Sequence, residues 1–173
     1  MLSQKEAGRK GRFAVRDDVI RLPSGEEVGY VVVMNPDSVF VVPLFDNGDT
    51  VLVRQWRHAW DASSWEVPAG TLAQDEDPAE GARRELAEET GLRAERLTSL
   101  GVAHGAAILT GTAHMFLGEG LTEAARNLEA YEQDMEVQRL PLTEALEAAI
   151  TGEIAHSTSV TTLVRAARAL KLL

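Results

Sequence analysis

Residues 77–91, DPAEGARRELAEETG, carry a full set of helix signals, and no other stretch restricts the fold as strongly. Asp77 is an N-cap whose carboxylate can accept from free N–H groups of the first turn, Pro78 suits the first helical position, and Glu80 completes a capping box. Ala79 to Thr90 is rich in helix formers, and Gly91 supplies the left-handed residue that ends the helix. Residues three and four apart share a helix face, so Glu85, Glu88 and Glu89 form one carboxylate stripe, while Ala79, Ala82 and Leu86 lie elsewhere and can pack inward. Like charges this close repel and raise one another's pKa, so the stripe is either spread into water or given a cation. For such a cluster alone, the solvated face is the ordinary reading. As a cation site it offers hard oxygens suited to Mg²⁺ or Mn²⁺. Arg84 can orient a carboxylate through a bidentate fork. Glu76, at the helix entrance, is favoured there by the helix dipole, and the turn at Gly70 can aim backbone carbonyls at the same cation.

The rest of the chain mixes strands and helices. Short β-branched runs on either side of LPSG, from Phe13 to Met34, read as a hairpin in which Pro23 presets φ and Gly25 takes the left-handed position. Val39–Leu44 and Thr50–Gln55 flank Asp46-Asn47-Gly48-Asp49, a second hairpin signal. Residues 63–67 read as a strand end broken by Pro68-Ala69-Gly70. Strands are expected over Leu97–Val102 and His114–Leu117 around a loop, AHGAAILTGT, then a helix from about Leu121 through Ala130. A strand over Met135–Arg139 follows, then a helix over 143–151 and a last helix from Ser157 to Leu173 capped by Ser157 or Thr158. This order predicts an α+β fold with a mixed sheet.

With 173 residues the chain suits one domain: residues 1–12 read as a flexible tail and 13–173 as the domain. A net charge of −10 argues against nucleic-acid polymers and anionic membranes as partners. It leaves room for a small phosphorylated ligand, because a bound metal and a few arginines overturn the local field. There is no cysteine, hence no disulfide and no thiolate metal site. The N-terminal residues do not read as a signal peptide, and the expected location is cytoplasmic.

The string from Gly70 to Leu92, GTLAQDEDPAEGARRELAEETGL, resembles the Nudix box, G-x5-E-x7-R-E-U-x-E-E-x-G-U, with U a bulky apolar residue. Gly70, Glu76, Arg84, Glu85, Leu86, Glu88, Glu89, Gly91 and Leu92 fill its fixed positions. The resemblance implies an α/β/α sandwich around a mixed β-sheet, with an N-terminal β-hairpin before it. It implies hydrolysis of a nucleoside diphosphate linked to another group, with Mg²⁺ (or Mn²⁺) bridging the pyrophosphate to Glu85, Glu88 and Glu89. Arg84 and Glu76 would support the box loop. VLVRQWRHA followed by SSWEVPAG is similar to the ADP-ribose pyrophosphatase branch, with Trp56 where a tyrosine is usual. That likeness implies that Arg57 contacts substrate phosphate or ribose, that Glu66 and Gly70 belong to the substrate site, and that the Ala69 carbonyl is a metal ligand. It also implies a homodimer using the strands of about residues 13–35.

The branch often carries a serine-proline-glycine-like stretch after the box. Here it reads Ala103-His104-Gly105, without proline, and His104 is a candidate phosphate contact. Glu119, Glu123, Glu129, Glu132 and Asp134 are candidates for the base, Glu132 and Asp134 preferred because they precede a strand. His114 and His156 read as structural, His156 as part of a helix entrance. Trp60 stands between core packing and stacking on a base. The expected reaction is cleavage of a nucleoside diphosphate sugar, ADP-ribose first, to AMP and ribose 5-phosphate. The alternatives are another nucleotide sugar, a dinucleotide or a nucleoside triphosphate as substrate, or a nucleotide sensor without turnover.

Overall fold

The computed structural model describes residues 1–128 and 134–173. Its N-terminal part is an antiparallel sheet of β1 (Ser3–Lys10), β2 (Phe13–Arg21) and β3 (Glu27–Met34), in that order. The expected hairpin is β2 and β3, paired from Ala14↔Met34 to Arg21↔Glu27, with Gly25 at φ 92° in the connection. Residues 3–10, expected as a tail, are instead a strand. Gly11, at φ 57°, lets a two-residue turn fold β1 back onto β2, so the backbone of a polar segment finds hydrogen-bond partners without burying its side chains.

The central sheet has the order β7-β4-β9-β8: β7 (Ala69–Thr71), β4 (Ser38–Pro43), β9 (Thr112–Glu123) and β8 (Leu92–His104). β4 and β9 run parallel, and the other pairs antiparallel, so the sheet is mixed as expected. Its two faces follow the period of two along β4. Phe40 and Val42 join a core with Met115, Leu117 and residues of two later helices, α2 (Leu142–Thr151) and α3 (Ser157–Ala169). Val39 and Val41 join an opposite core with Ala82 and Leu86 of α1 (Pro78–Thr90). Helices therefore cover both faces. Leu86 is completely buried, a contribution of about 2–3 kcal/mol.

A third sheet, β10-β5-β6, joins β10 (Glu136–Pro141), β5 (Asp49–Arg57) and β6 (Ala62–Glu66). This corrects the second expected hairpin. Asp46 to Asp49 does form a turn, with Gly48 at φ 86°. Yet the strands it joins go to different sheets: β4 pairs with β7 and β9, β5 with β6 and β10. The helix expected from Leu121 is also absent over the described residues: Leu121–Glu123 extends β9, pairing with Leu92–Ala94, and 124–128 are irregular. Tertiary pairing overrides the helix propensity of that segment. α3 is preceded by His156 at the N-cap position, without a side-chain cap, rather than capped by Ser157 or Thr158. No helix among the described residues is long and apolar enough to cross a membrane.

Candidate active site

Helix α1 begins and ends where its sequence signals stand. Asp77 accepts from Ala79 N at 2.9 Å and Glu80 N at 3.2 Å, and Gly91 closes the helix at φ 72° with its N–H on Ala87 O. The Glu80 carboxylate is turned to Arg83. The box glutamates surround Arg84. Its Nε and Nη2 fork onto the two oxygens of Glu76, each at 2.9 Å, and Nη2 also donates to Thr71 O at 3.3 Å. Its Nη1 bridges Glu85 Oε1 at 2.7 Å and Glu88 Oε2 at 3.0 Å. The Arg84 hydrogen bond, joined by one from Ala73 N–H, holds Glu76 down to about 2, and the surrounding carboxylates raise the arginine further above its ordinary value.

Two residues of β7 complete this region. Glu89 is completely buried, and its Oε2 accepts from Ala69 N at 2.9 Å. A Cβ on Gly70 would lie 1.9 Å from Glu85 Cδ, so the carboxylate rests on bare backbone that only glycine leaves open. The donor set fits a hard divalent cation: three carboxylates from one helix, two of them, Glu85 and Glu89, against the Ala69–Gly70 backbone. Among the described residues, no three such side chains already converge as a metal cage, and the Arg84 guanidinium bridges Glu85 and Glu88. A cation that takes both must compete with that guanidinium.

Gly70 also lines the adjoining cleft, about 470 Å³ in volume, with Trp56, Arg57, Trp60, Thr71 and His156. Trp56 and Trp60 are half exposed there. Arg57 reaches it from the end of β5 and forks onto Glu66 of β6, Nε to Oε1 at 2.7 Å and Nη2 to Oε2 at 2.5 Å. Glu66 itself is completely buried, beneath Arg57 and His156 rather than at the cleft surface. Burial alone would raise its pKa, but the hydrogen bonds from Arg57 and then His156 outweigh it and bring the group down to about 2.

The structure thus brings Ala69, Gly70, Arg84, Glu85, Glu88 and Glu89 together, with Arg57 and Glu66 across Gly70. His104 stands apart. It is exposed at the end of β8, opposite Thr112, three strand spacings or about 14 Å from Thr71 of β7. Its loop is tied to the N-terminal sheet, through Val33 N to Ile108 O at 2.8 Å. Glu132 and Glu129 lie outside the described residues. Sequence reasoning read His156 as part of a helix entrance; it stands there, but its side chain caps nothing and meets Glu66, remote along the chain.

Residues 34–157 match the NUDIX domain family. The chain belongs to the Nudix family. It is 36% identical over 153 residues to an ADP-ribose pyrophosphatase of Mycobacterium tuberculosis, covering 86% of this chain and 73% of that one. It is 31% identical over 137 residues to an ADP-ribose pyrophosphatase of Bacillus subtilis, covering 78% and 74%. The fold matches that of a solved ADP compounds hydrolase with a TM-score of 0.86 at 22% identity, over 98% of this chain and 92% of that one. This is a Nudix pyrophosphohydrolase related to ADP-ribose pyrophosphatases.

Proposed function

We propose that this Nudix enzyme cleaves the pyrophosphate of a nucleoside diphosphate sugar, ADP-ribose first, to AMP and ribose 5-phosphate, and that the reaction depends on a divalent cation, Mg²⁺ or Mn²⁺. The observation that carries this reading is the meeting at Gly70 of two unlike regions. One is an acidic cluster suited to a cation, and the other a cleft with cationic and aromatic walls. A nucleotide sugar needs both, since its pyrophosphate is anionic and its base is a flat apolar surface. Glu85, Glu88 and Glu89 would hold the cation, which supplies positive charge against the pyrophosphate oxygens when bound. Glu76 and Arg84 keep those carboxylates in place. Arg57 offers hydrogen bonds to substrate while Glu66 holds its fork from below.

The N-terminal sheet favours a homodimer. Phe13, Val15 and Val31 are exposed on one face of its strands, and a three-stranded sheet gains from a covered face. Light scattering of the purified protein at a dimer mass is the expected result; a monomer at micromolar concentration removes that part of the proposal.

A second substrate reading rests on the Ala103–Gly105 stretch, which lacks proline and lies away from the cleft. It assigns the enzyme another nucleotide sugar, a dinucleotide or a nucleoside triphosphate. Products separate the readings. With Mg²⁺ and a panel of these compounds, AMP and ribose 5-phosphate formed well above all other products supports ADP-ribose. Monophosphate plus pyrophosphate from a triphosphate replaces that assignment. EDTA should abolish turnover and added Mg²⁺ restore it; full activity in EDTA would remove the cation from the proposal.

A further inference from the structure

His156 occupies the N-cap position of α3, yet its side chain caps nothing and reaches back to β6. Nδ1 lies 2.8 Å from Glu66 Oε2 and 3.0 Å from Ser159 Oγ. Ser159 Oγ in turn accepts from Val67 N–H at 3.2 Å. An ionised carboxylate can only accept, so Nδ1 must carry the hydrogen that faces it. The tautomer is thereby fixed, and Nε2 is the ring nitrogen left for a ligand: an acceptor in the neutral ring, a donor in the imidazolium.

The ring is also held from the sides. Its centroid is 5.6 Å from that of Phe40 and 5.7 Å from that of Trp60, tilted to both. Around it stand Glu66 on β6, Arg57 on β5 and Ser159 on α3, and His58 lines the same cleft from the turn after β5. Arg57 already cancels the charge of Glu66. An imidazolium at His156 therefore leaves the group with one positive charge, in a cleft that runs to Gly70 and so to the cation-binding carboxylates.

We propose that His156 is a substrate-contacting residue of this enzyme: its Nε2–H donates to a phosphate oxygen of the bound nucleotide, Glu66 is the positioning residue behind it, and Trp60 is the aromatic wall beside it. This rests on the reading of the cleft as the nucleotide site. A neutral ring offers a lone pair to an oxygen, so affinity for the phosphate is lower wherever the ring has lost its second proton.

The test is ADP-ribose binding in EDTA, where no turnover is expected, by calorimetry from pH 5.5 to 8.5. His156→Gln should bind about tenfold or more weakly at the acid end, as for loss of a charged hydrogen bond, and should lose the pH step. In parallel, the imidazole Cε1–H resonances of the four histidines are followed by NMR in the unsubstituted protein. The one that persists in His58→Gln, His104→Gln and His114→Gln alike is that of His156, and its titration midpoint should rise when ADP-ribose binds. Unchanged affinity in a folded His156→Gln, or a His156 resonance indifferent to bound ADP-ribose, overturns the inference and leaves the cleavage reaction intact. If the variant does not fold, the resonance alone decides. If ADP-ribose neither binds nor is cleaved while another nucleoside diphosphate sugar is, the substrate assignment fails separately, and the same titration with that compound decides the role of His156.

Discussion

On the α1 side of Gly70, one guanidinium is shared among three carboxylates, with a fourth, Glu89, buried close by. On the cleft side, one buried carboxylate is shared between a guanidinium and an imidazole. Both regions use the same chemistry, a charge-assisted hydrogen bond to take a carboxylate out of water. The stoichiometry sets opposite signs. The first group keeps an excess of negative charge and favours a cation; the second is neutral or positive and favours an anion. A chain of net charge −10 can thus hold a region suited to an anion, because the sign that matters is set over a few ångströms.

The sharpest way to break this division is Glu89→Gln, which removes one negative charge from the α1 side while keeping an acceptor for Ala69 N–H. If that side works by holding a cation, kcat falls roughly 10²–10³-fold at saturating Mg²⁺, the scale for losing an electrostatic contact made in the transition state. The melting temperature should hold or rise, since a buried charge is gone. Normal hydrolysis by this variant would mean that the cation does not work through Glu89.

The cleft side is tested by acid. Glu66 is held at about 2, below its ordinary 4.5, so the native state binds fewer protons than the unfolded state over that interval. Its contribution to stability is full above about pH 5 and disappears as pH falls toward 2, on the order of 3 kcal/mol in all. Urea unfolding at pH 7, 4 and 2.5 should show the loss, and Glu66→Gln should show a smaller one. If the variant and the unsubstituted protein lose the same stability over this range, the Arg57–Glu66–His156 group is not the acid-sensitive one.

The two sides also differ in how far they could be read from sequence. The α1 side was legible because its parts are local: a cap at Asp77, a stop at Gly91 and carboxylates at helical spacing, within 23 residues. Even Arg84 and Glu76, eight residues apart, are bound to one segment. The cleft side joins β5, β6 and α3, and nothing in the neighbourhood of His156 signals that its partner is Glu66. The same distinction explains the fold. The turn at Asp46–Asp49 was readable, but β4 finds β9 some seventy residues away, and turn chemistry does not specify that pairing. In residues 121–123 a helix-forming composition yields to the ladder between β9 and β8, a contact absent from the segment itself.

Gly70→Ala probes the boundary between the two sides. The new Cβ would fall 1.9 Å from Glu85 Cδ. The end of the Glu85 side chain can swing away, so the fold should survive with little change in melting temperature. The carboxylate would be displaced from its place in the proposed cation site by about an ångström, and activity should drop by up to about 10²-fold. Full activity would mean that the cluster tolerates Glu85 elsewhere, and that the close approach at Gly70 is packing alone.

The finest test asks whether Arg84 and the cation use the same oxygens. Lysine keeps the charge at this position but cannot fork onto Glu76 and bridge Glu85 to Glu88 at once. Arg84→Lys should therefore lose about 1 kcal/mol of stability without metal, because partly exposed pairs contribute little each and several are weakened together. The released carboxylates then face each other with less compensation, and a cation has more to gain by binding them. Added Mg²⁺ should raise the melting temperature of Arg84→Lys by more than it raises that of the unsubstituted protein, since a ligand that binds only the native state stabilises it more the tighter it binds. Equal increments would mean that guanidinium and cation do not compete. The arginine would then be a permanent brace for Glu76 and Thr71, and the cation would rest on Glu89 and the oxygens that Arg84 leaves untouched.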